Sequence, residues 1–341
     1  MRARAVGMAA FAGAALGGAA LGYLAERRAL APSEQESTHE LTRPAAGRSV
    51  EVRGGDGTLL HAEVGGADGA PALVFVHGMG LSREVWHYQR RDLGSRFRIV
   101  TYDQRGHGRS GRAASGDYSL ATLGRDLAAV VEACAPSGPV VLVGHSIGSM
   151  AVLATVSAAP QVYERVVGVV LSNTAGGALL GGALRSTAAA TLGTLQARLL
   201  GGRLRSGRLD SSDPADRPST DLSLLLTRQF GLSSDAAPEV VAFLERQLRG
   251  VPPTVLGALG PHVASADLRE EAAGLWVPAL VVIGERDRLT PPRQGQRLAV
   301  TLPHSEVEVI AGVGHTAMLE APEPFNIALG RFVCGVLQAA A

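Results

Sequence analysis

The chain has 341 residues, 46% of them hydrophobic and 18% charged, which is ample apolar material for a large core and too little charge for a disordered protein. Basic and acidic residues number 32 and 31, all of the basic ones Arg, so the net charge of +1 offers no field to draw in nucleic acid. Only two cysteines occur, Cys134 and Cys334, each in a stretch with the spacing of an amphipathic helix, and they support neither a disulfide framework nor a metal site.

At the N-terminus, Arg2 and Arg4 precede an uncharged run of 20 residues, 5–24. As a helix this run would be about 30 Å long, roughly one hydrocarbon core. Its pairs Gly13/Gly17 and Gly18/Gly22 have the small-xxx-small spacing of close helix contact. The reading is a hydrophobic N-terminal segment, 1–30, that acts as a transmembrane anchor and gives the protein its association with a membrane. The competing reading is a cleaved signal peptide and a secreted protein, with Ala29-Leu30-Ala31 supplying small residues and Glu26, Arg27 and Arg28 speaking against cleavage. Residues 31–47 are polar with two prolines and read as a linker.

From residue 49 onward the pattern becomes short β-rich runs divided by turn residues. Eight strands are expected, at 49–53, 59–64, 72–76, 98–102, 140–143, 166–171, 279–283 and 306–310. The runs Val140-Val141-Leu142-Val143 and Ala279-Leu280-Val281-Val282-Ile283 are apolar throughout, as strands buried on both faces of a parallel sheet must be. Helical spacing at 120–134, 150–158 and 325–337 alternates with them, so the expected core is a doubly wound α/β sheet flanked by helices. The core is assigned to 48–174 and 276–341; the Ala/Leu/Arg-rich interval 175–275 breaks the alternation and reads as an inserted helical lid.

The chemistry is concentrated where the runs end. Val143 leads into Gly144-His145-Ser146-Ile147-Gly148, a strand, then G-x-S-x-G, then an apolar helix start. A turn that sharp would make flanking side chains collide, hence the glycines, and the helix N-terminus beyond favours negative charge.

With this motif the sequence resembles the α/β-hydrolase superfamily, in particular its lid-bearing serine esterase, lipase and peroxidase-like members, over roughly residues 50–337. The resemblance implies an α/β-hydrolase fold with a mostly parallel eight-stranded sheet. It also implies a role for each of three further motifs. Phe75-Val76-His77-Gly78-Met79-Gly80 is similar to the family's oxyanion loop, which assigns one backbone donor to Met79 and, from the elbow, a second to Ile147. Asp103-Gln104-Arg105-Gly106-His107-Gly108-Arg109-Ser110 is similar to a structural loop of the family and makes His107 a decoy. Gly284-Glu285-Arg286-Asp287 ends a buried strand at the expected place of the acid, with Asp287 preferred to Glu285, and Gly312-Val313-Gly314-His315 holds the expected general base. Some members carry the acid after the sixth strand, but Leu171-Ser172-Asn173-Thr174 has no carboxylate here.

The order Ser146, Asp287, His315 is that of the fold's Ser, acid and His, and it implies cleavage of a carboxylic ester through an acyl-enzyme, with the Leu- and Ala-rich lid suggesting a hydrophobic acyl or alcohol group. The same three residues with another acceptor would serve an acyltransferase or perhydrolase, and a non-catalytic ligand-binding member is the reading from a different class. Relatives that use an Asp nucleophile, the epoxide hydrolases and haloalkane dehalogenases, are disfavoured by Ser146 and by the lack of Tyr in 175–275. No metal-ligand spacing or phosphate loop is present, so no cofactor is expected, and the partner is a small-molecule ester.

Overall fold

In the computed structural model the structure describes residues 41, 47–177 and 232–340. The chain divides into two compact units, 1–43 and 44–341. The centre of the second unit is an eight-stranded sheet of order β1-β2-β4-β3-β5-β6-β7-β8. The strands are β1 (Arg48–Arg53), β2 (Leu59–Gly66), β3 (Ala72–Val76), β4 (Arg98–Tyr102), β5 (Val140–His145), β6 (Val166–Ser172), β7 (Ala279–Gly284) and β8 (Ser305–Ile310). All neighbours from β4 to β8 pair in parallel; only β2 runs antiparallel to its neighbours β1 and β4. Every expected strand is present, and β3, β5 and β7 are buried at each position, as their unbroken apolar runs require.

Among the described residues seven α-helices lie between strands, α1 (His87–Leu93), α2 (Leu120–Cys134), α3 (Ile147–Ala158), α4 (Pro238–Gly250), α5 (Pro253–Ala264), α6 (Arg269–Ala273) and α7 (Pro292–Thr301), and two follow β8, α8 (Ala317–Glu320) and α9 (Pro322–Ala339). Helix α3 is buried without interruption from Ile147 to Thr155, so it lacks a polar stripe and behaves as a core element. It packs on α2, while α9 lays Phe332 and Val336 against Gly168 of β6. Burial of these apolar surfaces against the mostly parallel sheet supplies the main favourable term for the fold.

Between β6 and β7 the described part of the insertion contributes α4, α5 and α6. Its remainder, 178–231, lies outside the described residues, as do most of the expected linker and the N-terminal segment. The expectation of a membrane-anchored protein with a transmembrane helix is corrected: among the described residues no helix is long and apolar enough to cross a membrane. The run 5–24, on which both the anchor and the signal peptide were placed, is itself outside the described residues. Its composition gives the physical reason for the correction, since Ala and Gly gain little on transfer to hydrocarbon and only Val6, Met8, Phe11, Leu16, Leu21, Tyr23 and Leu24 are larger apolar groups.

Candidate active site

Strand order decides which residues meet. Because β3, β5, β6, β7 and β8 are consecutive parallel neighbours, the segments that leave their C-terminal ends lie side by side at one edge of the sheet. Those segments carry Met79, Ser146, Asn173, Asp287 and His315 respectively. This edge is where open α/β sheets bind ligands.

Ser146 sits between the last residue of β5 and the first of α3 with φ 54° and ψ −120°. Such a conformation costs a non-glycine residue about 1–3 kcal/mol and is held only where the surroundings over-determine it. They do so here. A Cβ on Gly144 would come within 2.5 Å of the Ser149 nitrogen, and one on Gly148 within 2.2 Å of the Val76 carbonyl oxygen, so both flanking glycines are required by close backbone approach. The Ser146 N–H donates to the Ser172 carbonyl at 2.9 Å, and Thr174 Oγ1 donates to the Ser146 carbonyl at 3.1 Å, which ties the turn to the end of β6.

Asp287 and His315 are joined directly, Nδ1 to Oδ2 at 2.9 Å, and are 3% and 5% exposed. Asp287 Oδ2 also accepts from Thr290 Oγ1 at 2.6 Å and from Asn173 Nδ2 at 3.0 Å, and its Oδ1 accepts the N–H groups of Leu289 and Thr290 at 2.9 and 2.8 Å. Burial works to raise this carboxyl, but the facing His315 charge and the hydrogen bonds of His315, Thr290 and Asn173 outweigh it and bring it down to about 2. Asp287 is therefore a carboxylate throughout the neutral range. Glu285 points elsewhere, accepting from the Gly312 N–H at 2.8 Å.

His315 reaches the elbow through His145. The two rings are 4.8 Å apart, and His145 Nε2 donates to the His315 carbonyl at 2.8 Å. Burial, and after it the His315 charge, hold His145 down at about 3, so its ring is neutral. Among the described residues no hydrogen bond joins Ser146 Oγ to the His315 ring, and His315 Nε2 has no partner.

The loop after β3 rests on the same elbow, since a Cβ on Gly78 would lie 2.6 Å from His145 Nδ1. Within it Gly80 donates to His107 Nε2 at 3.1 Å and Leu81 to Gly78 at 3.3 Å. The N–H groups of Met79 and Ile147 have no acceptor among the described residues. Ile147 opens α3, where the helix dipole adds to its donor strength.

His107, set aside on sequence grounds, has both ring nitrogens engaged: Nδ1 faces the Arg105 carbonyl at 3.0 Å, and Nε2 accepts from Gly80. The rest of its loop is a dense polar network in which Gln104 Oε1 and the neighbouring Arg83 Nε have no partner among the described residues. Asp103 accepts from Arg83 and Arg109, and Arg105 makes a double hydrogen bond to buried Asp126 at 2.6 and 2.7 Å.

Sequence reasoning did not find the supports. Asn173 follows the sixth strand, and Thr290 and Glu320 lie a few residues beyond Asp287 and His315, but their roles depend on contacts made in the fold. Glu320 gathers four donors, the N–H groups of Ser233, Gly314 and Thr316 and the Thr316 hydroxyl, and so fixes the loop that carries His315. For Asn173 a signal did exist, since an Asn that closes a buried strand is a candidate for the left-handed conformation, and it adopts φ 48°. Among the described residues no group of three or more His, Cys, Asp or Glu side chains is arranged to hold a metal ion.

Comparison with known proteins agrees with this architecture. The alpha/beta hydrolase fold family matches residues 71–322. The 3-oxoadipate enol-lactonase 1 of Acinetobacter baylyi is 24% identical over 286 residues, covering 84% of this chain and 97% of that protein. A protein of Azorhizobium caulinodans, provisionally named as the carbamate hydrolase RutD, is 30% identical over 284 residues, covering 83% and 97%. Among solved structures, a thermophilic esterase from Thermogutta terrifontis superposes with a TM-score of 0.68 at 24% identity, covering 85% of this chain and 99% of that one, a likeness of fold.

Proposed function

We propose that this chain, a hydrolase that belongs to the alpha/beta hydrolase fold family, is a serine hydrolase cleaving a carboxylic ester through an acyl-enzyme on Ser146. The observation that carries this reading is the Asp287–His315 hydrogen bond set beside the strained Ser146, with His315 Nε2 left without a partner among the described residues. In this mechanism Ser146 Oγ attacks the ester carbonyl carbon and its proton passes to His315 Nε2. Asp287 keeps the Nδ1–H tautomer and stabilises the imidazolium. The carbonyl oxygen, now negative, accepts from the Met79 and Ile147 N–H groups, each donor lowering the barrier by about 3 kcal/mol. Collapse breaks the bond to the alcohol oxygen, which takes the proton from His315. Water then gives a proton to His315 and attacks the acyl carbon, releasing the acid and restoring Ser146.

One feature supports a hydrophobic ester. The inserted region, 175–275, acts in this reading as a lid, and its helices α4 and α5 bring Leu248 and Leu256 against Gly80, next to a Met79 side chain that is 37% exposed. An apolar wall beside the oxyanion donors favours an apolar acyl or alcohol group. The relatives named as an enol-lactonase and an esterase support ester chemistry as such, a lactone being an internal ester.

The test is a chain-length series of p-nitrophenyl esters. The expected result is turnover that rises with acyl length from acetate and disappears in Ser146→Ala. Turnover that survives in Ser146→Ala, or no turnover of any member, would overturn the reading.

A further inference from the structure

Asn173 occupies a position where only one chemistry fits. Its Nδ2 lies 3.0 Å from Asp287 Oδ2 and 3.1 Å from the Gly314 carbonyl oxygen, both of which can only accept. Its Oδ1 accepts from Ser172 Oγ at 2.8 Å. The orientation of the amide is therefore fixed by its partners, and a carboxylate there would set oxygen against oxygen on two sides. The residue is 2% exposed and stands at φ 48°, which Asn tolerates better than other side chains. Room for the approach comes from Gly284, where a Cβ would fall 2.0 Å from the Gly314 oxygen and 3.0 Å from Asn173 Nδ2.

We propose that Asn173 is a positioning residue, whose amide clamps the acid, through Asp287 Oδ2, and the base, through the residue before His315, into one geometry for proton transfer. This rests on the serine hydrolase reading. The amide donates to the same carboxylate oxygen that receives His315 Nδ1, so it also draws off part of the negative charge facing the imidazole. Besides the neutral Asn173 and Thr290, the titratable groups that face His315 or its loop are Asp287, His145, Glu320 and, at Gly312, Glu285. Removing the amide leaves these in place and lets the full carboxylate charge act on the ring, which favours its protonated form.

The test is the second-order rate of labelling by a fluorophosphonate probe, measured from pH 5 to pH 9 on the full chain and on Asn173→Asp and Asn173→Gly. Both substitutions accept a positive φ, so the backbone conformation is retained. The expected result is labelling slowed at least 10-fold in Asn173→Asp and several-fold in Asn173→Gly, with the acid limb of the profile moved to higher pH in both. Should Asn173→Asp fail to fold, Asn173→Gly decides. A wild-type profile in the folded variants, or a uniform loss of rate without displacement of the limb, would overturn the inference. Labelling absent from the wild type itself would overturn the hydrolase reading, and this inference with it.

Discussion

Two polar regions border the loop after β3, and each is built around a buried histidine. In the loop after β4, His107 spends both nitrogens on backbone groups, Asp103 spends its carboxylate on Arg83 and Arg109, and Arg105 is paired with Asp126. In the loops after β5, β7 and β8, the supports are as dense, yet His315 Nε2 and the Ile147 N–H there, and the Met79 N–H in the adjoining loop after β3, have no partner among the described residues. A buried polar group without a partner costs free energy. The first network is the more nearly closed, with Arg83 Nε and Gln104 Oε1 as its gaps among the described residues, and this is what stability requires; an open one beside a strained serine is what a reacting molecule would complete.

This difference can be broken most severely at Ser146. Ser146→Ala is expected to lower ester turnover by about 10⁴-fold or more while leaving thermal stability within about 1 kcal/mol, or raising it as the substitution changes little in the core. Steady-state assays beside thermal melts check both halves. The closed region should respond in the opposite sense. Arg105→Met leaves the Asp126 carboxylate buried without its partner and should cost about 3–5 kcal/mol in urea unfolding, with the labelling rate of the folded fraction within a few-fold of wild type.

Acidification tests both regions at once. Burial lowers the proton affinity of His77, His107 and His145, the last to about 3. Below the ordinary histidine pKa of 6.5 the unfolded chain takes up protons that the folded chain refuses, so stability falls as pH drops, by up to about 1.4 kcal/mol per pH unit for each such ring. Asp287 acts lower down: its contribution is present above 3.8 and is lost as pH falls towards about 2. Urea midpoints at pH 7 and pH 5 should therefore differ, and His145→Phe should flatten the difference; equal midpoints in the wild type would contradict neutral burial of these rings. The smallest effect is expected for His107→Phe, about 1–2 kcal/mol of stability for the lost partners of Gly80 and Arg105, with less than a 10-fold change in labelling rate.

The sheet was legible because β3, β5 and β7 hold unbroken apolar runs and the other strands are short β-rich runs between turn residues, and the sequence places all eight. Helix α3 was legible in position but begins at Ile147, three residues earlier than its apolar spacing indicated, because the elbow starts the helix directly after Ser146. The positions of Ser146, Asp287 and His315 came from motifs at strand ends. Asn173 and Glu320 did not, because each gains its partners from chain segments brought close only by the fold: Asn173 from Asp287 and Gly314, Glu320 from Ser233. A residue whose task is to hold another carries little local pattern. The membrane reading failed for a different reason: length was weighed above the weak hydrophobicity of Ala and Gly.

The central claim is that the open network serves one nucleophile. Peptide mapping by mass spectrometry after fluorophosphonate treatment of the full chain tests it most directly. A single phosphonyl adduct on the peptide containing Ser146, absent from His315→Ala and Asp287→Ala at short times, is the expected result. An adduct on another serine, or no adduct on a folded chain that turns over esters, would contradict it.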